Sequence, residues 1–293
     1  MPLRDTCQWF RTGAPVELES RMGRTTRKET EKIPVMILCG GMGTRLREET
    51  EVRPKPMVEI GGRPILWHIL KLYSASGFKD FILCLGYKGH VIKEYFLNYH
   101  TYNTDLTVSL GGPEAIQYHN RHAEEDWRVT LVETGDTAQT GSRVARAGRY
   151  VQTKTFCLTY GDGLGDVDLS ALIEFHHRHG KIGTVTGVRP PGRFGELLVD
   201  TEGRAIEFSE KPQVTEGVIN GGFFVFQHEF LQHYLNSQEG LVLEHEPLQQ
   251  LAKDGELMVY LHEGFWQPMD TYRELKILDQ LWSSGRAPWK VWR

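Results

Sequence analysis

An α/β fold is predicted: a Rossmann-like, mostly parallel central sheet flanked by helices, with a smaller mixed β subregion. Three observations point to it. From residue 33 to about residue 188, apolar runs of strand length alternate with segments of helical period. A glycine-rich turn, Gly40-Gly41-Met42-Gly43, follows directly on the first of those runs. Beyond about residue 188 the alternation gives way to strands in succession.

Composition narrows the class. The 293 residues suffice for one large α/β domain or two small ones, and 40% apolar with 25% charged is globular usage. A formal net charge of −4 argues against general nucleic-acid binding, so any phosphate must meet a local basic site. No apolar run reaches the length of a membrane span. Cys39, Cys84 and Cys157 each lie in an apolar run without Cys-x-x-Cys spacing, while Cys7 lies near the N-terminus. The first three read as buried thiols of a reducing, cytoplasmic setting.

Residues 1–32 form a polar extension, read as disordered or loosely packed, with Met22 as an alternative start. It lacks the apolar centre of a signal peptide. The folded domain is expected over 33–293.

Ile33–Leu38 reads as a buried strand. Three glycines in the four positions after Cys39 let the backbone turn sharply and approach a ligand, and successive N–H groups there can cradle an anion. Arg45 and Lys55 add positive charge, so a triphosphate is the natural guest; a plain strand–turn is the alternative. No Gly-Lys-Ser/Thr closes the loop, which excludes a Walker A motif. Leu46 stands where the dinucleotide fingerprint needs its third glycine.

Met57–Ile60 reads as a short strand turned by Gly61-Gly62. Pro64 opens a helix whose buried face carries Ile65, Leu66, Ile69, Leu70 and Tyr73. Strand Phe81–Leu85 and a helix through Val91, Ile92, Tyr95 and Phe96 continue the βαβ rhythm. Residues 111–128 read as a polar excursion before strand Val129–Val132. The loop Thr134–Arg143 then feeds a helix that Thr140 or Ser142 would cap. It sits at a strand's carboxyl end, where open α/β sheets hold ligands.

Strand Thr155–Tyr160 ends in Gly161-Asp162-Gly163, which places a carboxylate where a metal would meet phosphates; a simple turn is the alternative. A helix over Asp168–His179 follows, capped by Asp168. Its closing His176-His177-Arg178-His179 reads as cationic side chains near a helix C-terminus rather than a zinc site. Strand 183–188 comes next. The successive strands 197–199, 205–208 and 217–226 read as the mixed subregion, laid over the ligand face. Helices near 229–235 and 244–252 and strand 257–260 lead to Asp270, before a last helix carrying Leu275, Leu278, Leu281 and Trp282. Asp270 reads as that helix's cap or as a second metal carboxylate. Trp289 and Trp292 suit core packing or a subunit contact.

Taken together, Leu-Cys-Gly-Gly-Met-Gly-Thr-Arg-Leu (38–46) and Pro-Lys-Pro-Met-Val-Glu-Ile-Gly-Gly-Arg-Pro-Ile-Leu (54–66) resemble the sugar-1-phosphate nucleotidyltransferase family. The stretch 134–143, Pro-Pro-Gly-Arg-Phe-Gly (190–195), Ile-Asn-Gly-Gly-Phe-Phe-Val (219–225) and Phe-Trp-Gln-Pro-Met-Asp-Thr (265–271) extend the likeness to its cytidylyltransferase branch. So does Ala-Pro-Trp-Lys (287–290). The resemblance implies the nucleotide-diphospho-sugar transferase fold, CTP and glucose 1-phosphate as substrates, Mg²⁺ as cofactor and a homo-oligomer, hexameric in the family. It also implies CDP-glucose as the product, destined for deoxysugars of surface polysaccharides such as O-antigen. For the nucleotide it implies the backbone of Leu38, Cys39, Gly40, Gly41, Met42, Gly43 and Thr44, with Arg45, Lys55, Ala138, Arg143 and Gly161. Arg45 and Lys55 would be catalytic, Asp162 and Asp270 metal ligands. Lys211 would meet the sugar phosphate, with Glu210, Asn220 and the backbone near Gly195 and Gly221 on the sugar hydroxyls. Ser142 departs from the glycine usual in the branch.

Such a transfer needs no general base, because the attacking phosphate oxygen is already anionic; alignment and charge neutralisation suffice. The missing Ser-His-Asp or Cys-His set is therefore no objection. A thymidylyl- or uridylyltransferase on the same fold, or a nucleotide-sugar sensor without chemistry, are the alternatives.

Overall fold

The computed structural model describes residues 30, 32–41, 43–111, 116–120, 126–189, 196–199, 205–209 and 217–292. Seven strands form the main sheet. They are β1 (Val35–Leu38), β2 (Asp80–Leu85), β3 (Arg128–Glu133), β4 (Thr155–Tyr160), β5 (Gly183–Val188), β6 (Ile219–Gln227) and β7 (Leu257–His262). The spatial order is β7-β5-β6-β4-β1-β2-β3. β1 pairs parallel with β2 and β4, β2 with β3, and β5 with β7. Only β6 runs against its neighbours β4 and β5.

β6 corrects one expectation. Residues 217–226 were expected in an outlying mixed subregion, yet β6 is a central strand of the main sheet. Phe223, Phe224, Val225 and Phe226 are all buried, so the strand has apolar material for both faces and must lie between helical layers. The separate two-stranded unit consists of Glu196–Val199 paired with Ala205–Ser209.

Strand alternation divides the core. Val35 and Ile37 of β1 face a layer with Leu70, Phe81, Leu172 and Trp289. Met36 and Leu38 face the opposite layer with Ile82, Val144, Phe156, Phe224 and Phe230. The first layer holds helix α1 (Ile65–Ala75), helix α2 (Gly89–Leu97) joins it at the β3 side, and helix α3 (Thr140–Ala147) belongs to the second. Thr30 is buried and donates to the Ser76 carbonyl at 3.2 Å, so the folded body reaches behind residue 33. The other residues of the extension, apart from Lys32, lie outside the described ones.

Smaller expectations shift as well. Lys55–Met57 is a 3₁₀ turn, leaving Glu59–Ile60 as the short strand. Within the supposed excursion, Ile116–Tyr118 pairs with Leu106–Val108 in a hairpin. Helix α4 (Leu169–His179) is capped by Asp168, which accepts from Ala171 N at 2.9 Å, and ends on left-handed Gly180. Two of its histidines are held neutral by burial rather than charged, however: His176 and His179 both have lowered pKa values. His176 is fully buried, and burial pushes its pKa down to about 3. Gln227 Nε2 donates to His176 Nε2 at 2.9 Å, which leaves His176 Nδ1–H for Thr184 Oγ1 at 2.8 Å. His179 Nε2 reaches the same hydroxyl at 2.7 Å. Hydrogen bonding, rather than the helix dipole, places the rings of His176 and His179.

Trp289 serves the core. It is fully buried, with Nε1 3.3 Å from Nδ1 of His68, and Trp67, Trp282 and Trp292 pack around that imidazole. Helix α5 (Glu246–Lys253) precedes β7, and α6 (Tyr272–Ser283) carries the chain to this cluster. Cys39, Cys84 and Cys157 are free and buried; burial raises all three thiols, Cys84 to about 12. Among the described residues no helix is long and apolar enough to cross a membrane.

Candidate active site

At the carboxyl ends of β1 and β4 lies a cleft of about 320 Å³. Its walls combine Leu38, Cys39, Gly40, Gly41 and Gly43 with Arg45, Lys55, Ala138, Arg143, Gly161, Asp162 and Asp270. These residues span more than 230 positions of sequence, and the topology brings them together. Gly161 N donates to the Leu38 carbonyl at 3.0 Å, fastening the ends of the two strands side by side.

The two carboxylates arrive on one short ribbon. Gly163–Gly165 pairs antiparallel with Trp266–Pro268, Gly163 opposite Pro268, and Met269 N donates to the Asp162 carbonyl at 2.8 Å. Asp162 and Asp270 therefore flank the same ribbon end. Asp270 is not the cap of α6: Thr271 is, in a capping box whose Glu274 accepts from the Asp270 and Thr271 amides at 2.7 and 2.8 Å. The box leaves the Asp270 carboxylate to face the cleft. Lys55 Nζ donates to Asp162 Oδ2 and to Asp270 Oδ1, each at 2.6 Å. Arg45 Nη1 donates to Asp270 Oδ2 at 3.0 Å from an exposed position. Burial alone would lower the Lys55 ammonium, but the two carboxylates hold its pKa above the ordinary lysine value.

A hard cation fits this donor set. Both candidate donors are carboxylate oxygens, and both lie within hydrogen-bond reach of one ammonium, hence close enough to share an ion. Mg²⁺ keeps several waters and is bound through one or two carboxylates plus substrate phosphates, so two aspartates are enough. Among the described residues no group of three or more His, Cys, Asp or Glu side chains could form a closed metal cage.

The side of the cleft that carries Arg143, with Gly40, Ala138, Gln139 and Thr140, rests on backbone behind it. Arg143, only 4% exposed, spends its guanidinium on that backbone. Nη1 donates to the Leu85 and Gly135 carbonyls at 3.1 and 2.7 Å and to Thr134 Oγ1 at 2.9 Å. Nη2 donates to the Gly40 and Asp136 carbonyls at 2.9 and 3.2 Å. A Cβ at Gly40 or Gly86 would come within 2.2 Å of that guanidinium, so glycine is required at both positions for the arginine to pass. Arg143 thus lines the cleft as a strut that fixes carbonyl directions. Burial lowers its pKa below the ordinary arginine value.

Neither Thr140 nor Ser142 caps α3, whose N-cap is Gln139. Thr140 Oγ1 donates to Glu244 Oε2 at 2.7 Å. Ser142 Oγ donates to the Gln238 carbonyl and accepts from Leu241 N at 3.1 Å. The hydroxyl in place of glycine thereby ties α3 to the segment behind it.

Of the expected sugar-phosphate residues, Asn220 and Gly221 open β6. Asn220 Nδ2 lies 3.2 Å from the Tyr160 hydroxyl, and the Gly221 carbonyl accepts from Trp266 Nε1 at 2.8 Å. Gly195, Glu210 and Lys211 lie outside the described residues, as do Met42 of the glycine loop and the side chain of Thr44. Sequence reading missed Tyr160, Gln139, Thr140 and Pro56, all of which line the cleft. Tyr160 carries a signal, being the last strand residue before Gly161-Asp162; Thr140 carries only that of a helix cap.

Comparison with known proteins agrees with this geometry. A family model described as nucleotidyl transferase matches residues 34–276. The glucose-1-phosphate cytidylyltransferase of Salmonella typhi is 52% identical over 258 residues, covering 88% of this chain and 98% of that protein. A probable glucose-1-phosphate cytidylyltransferase of Bacillus subtilis is 46% identical over 257 residues, covering 88% and 99%. Among solved structures, HddC from Yersinia pseudotuberculosis in complex with GMP-PN superposes with a TM-score of 0.62 at 20% identity, over 85% of this chain and 99% of that one. That likeness speaks for the fold alone.

Proposed function

Since the chain belongs to the nucleotidyl transferase family, we propose that it transfers the cytidylyl group of CTP to α-D-glucose 1-phosphate, giving CDP-glucose and pyrophosphate. The observation that carries the chemistry is Lys55 held between Asp162 and Asp270 beside the glycine loop. The glycine-loop backbone receives the triphosphate. Lys55 bridges the α-phosphate and the incoming sugar phosphate, and Arg45 meets the departing pyrophosphate. Asp162 and Asp270 hold Mg²⁺, which supplies Lewis-acid polarisation of the α-phosphate when bound. No residue removes a proton from the nucleophile, because the attacking oxygen is anionic already. The work is alignment and charge neutralisation.

The 52% identity to the Salmonella typhi enzyme over nearly its whole length supports cytosine as the base. The chemistry of the wall agrees. A carbonyl that accepts from Arg143 keeps a second lone pair, and cytosine presents an amine there, where uracil and thymine present a carbonyl. A cytoplasmic homo-oligomer, hexameric as in the family, completes the reading; light scattering of the purified protein tests the assembly.

The functional test is pyrophosphate release with Mg²⁺ and glucose 1-phosphate, offering CTP, UTP, dTTP and ATP separately. Release with CTP well above the others is expected. Release only with dTTP or UTP would make the protein a different member of the family, and release with none would make it a sensor.

A further inference from the structure

One side chain holds two residues of the cleft lining, reaches β6 through one of them, and is unused by the reaction above: Glu244, half-buried in the turn that precedes α5. Thr140, on the nucleotide wall, donates to its Oε2 at 2.7 Å, and Thr140 Oγ1 in turn accepts from Leu243 N at 2.9 Å. Tyr160, the last residue of β4 before Gly161-Asp162, donates to its Oε1. Asn220, at the start of β6, donates from Nδ2 to the Tyr160 oxygen at 3.2 Å, while its Oδ1 accepts from Gly222 N at 2.8 Å.

The direction of this chain is fixed by chemistry. An ionised carboxylate only accepts, so both hydroxyls must point their protons at Glu244. A phenol has one proton; once it is committed to Glu244, the Tyr160 oxygen is left to accept, and Asn220 must present its amide nitrogen to it. Burial and the Glu244 charge raise the Tyr160 phenol above its ordinary pKa, so it stays a donor. Both ends of the Asn220 amide are then assigned. One Nδ2 proton remains, and Asn220 is exposed at that end of the strand.

We propose that Glu244 is a positioning residue: through Tyr160 it sets which face of the Asn220 amide meets a sugar hydroxyl, and through Thr140 it locks that setting to the nucleotide wall. Replacing the carboxylate by an amide keeps the shape and breaks the direction. In Glu244→Gln, an NH₂ group faces either Thr140 or Tyr160. If it faces Tyr160, the phenol proton turns toward Asn220 Nδ2, two donors meet, and the amide must part from the phenol or flip and give up its bond from Gly222 N.

The proposal rests on the sugar-phosphate role given to Asn220 above, and the test separates the two. Steady-state kinetics with CTP and glucose 1-phosphate are measured for wild type, Glu244→Gln, Asn220→Ala and the double variant, with thermal melts alongside. Glu244→Gln is expected to raise KM for glucose 1-phosphate about tenfold, the scale of one hydrogen bond, with kcat within about threefold of wild type. The double variant is expected to be no worse than Asn220→Ala alone, because Glu244 acts through that residue. A Glu244→Gln enzyme with unchanged KM, fully additive effects in the double variant, or equal losses in kcat and KM together with a lowered melt would each overturn the proposal. Wild-type protein inactive with CTP would sink the functional reading and this proposal with it; an active wild type with a silent Glu244→Gln sinks only the proposal.

Discussion

The two sides of the cleft are built of different material. On one side charged side chains meet at short range, Lys55 between Asp162 and Asp270 with Arg45 beyond. On the other, Gly40, Ala138, Gln139 and Thr140 line the cleft, Arg143 holds the Gly40 carbonyl together with those of Gly135 and Asp136, and Ser142 bonds to Gln238. In the proposed reaction the first side acts on charge that develops at phosphorus, where preorganised ions have their largest effect. The second can only discriminate, since fixed neutral dipoles distinguish one base edge from another. On that reading catalysis and choice of base are separable, and substitutions should separate them.

The largest effects are expected on the charged side. Asp162→Ala or Asp270→Ala should lower kcat by about 10²–10³ or more, in proteins whose circular dichroism is that of wild type. Lys55→Ala should cost a similar factor, with Lys55→Arg recovering only part of it. A folded variant of either aspartate with near-normal turnover would remove the metal-ligand assignment, and an active Lys55→Ala would remove the bridging role.

Next comes the strut. Arg143→Ala leaves several buried carbonyls without their donor and should cost about 3 kcal/mol of stability, read from denaturant melts, together with a raised KM for CTP. A variant with wild-type stability would show that the wall holds itself.

The pH dependence of stability is a smaller effect and belongs to neither wall. His68 is pushed down to about 4 and His176 to about 3, both chiefly by burial. Their folded pKa values lie below the unfolded value of about 6.5, so the unfolded chain binds the extra protons. Stability is then full above about pH 6.5 and declines as pH falls, by about 2 kcal/mol for each ring at pH 5. Melts between pH 7.5 and 5 check this, and His176→Gln should flatten part of the slope. Smallest is Ser142→Gly, which returns the residue usual in the family branch and gives up the bonds to Gln238 and Leu241. About 1 kcal/mol and a modest change in KM for CTP are expected.

The same division explains what the sequence disclosed. Arg45, Lys55, Asp162 and Asp270 were legible because their chemistry lives in residue type, and glycines around the first and third mark where the backbone must turn. β6 was misplaced because Ile219–Gln227 carries the apolar content of a buried strand but nothing that states its direction. Arg143 was found by resemblance and given to the nucleotide; that its donors serve backbone carbonyls depends on Gly40 and Gly86 standing clear of it, a meeting of positions more than forty residues apart. Glu244 left no trace, since a glutamate before a helix has the same letter whether it is solvated or braces three elements.

The separation itself is tested by one ratio, kcat/KM for CTP over kcat/KM for UTP, in wild type, Asp162→Asn and Arg143→Lys. Lysine cannot reproduce the planar fork of Arg143, so it loosens the wall while keeping a cation. The account predicts that Asp162→Asn lowers both rates together and leaves the ratio unchanged, whereas Arg143→Lys shrinks the ratio at a smaller loss of kcat. A ratio that moves with Asp162→Asn, or that survives Arg143→Lys intact, would contradict it.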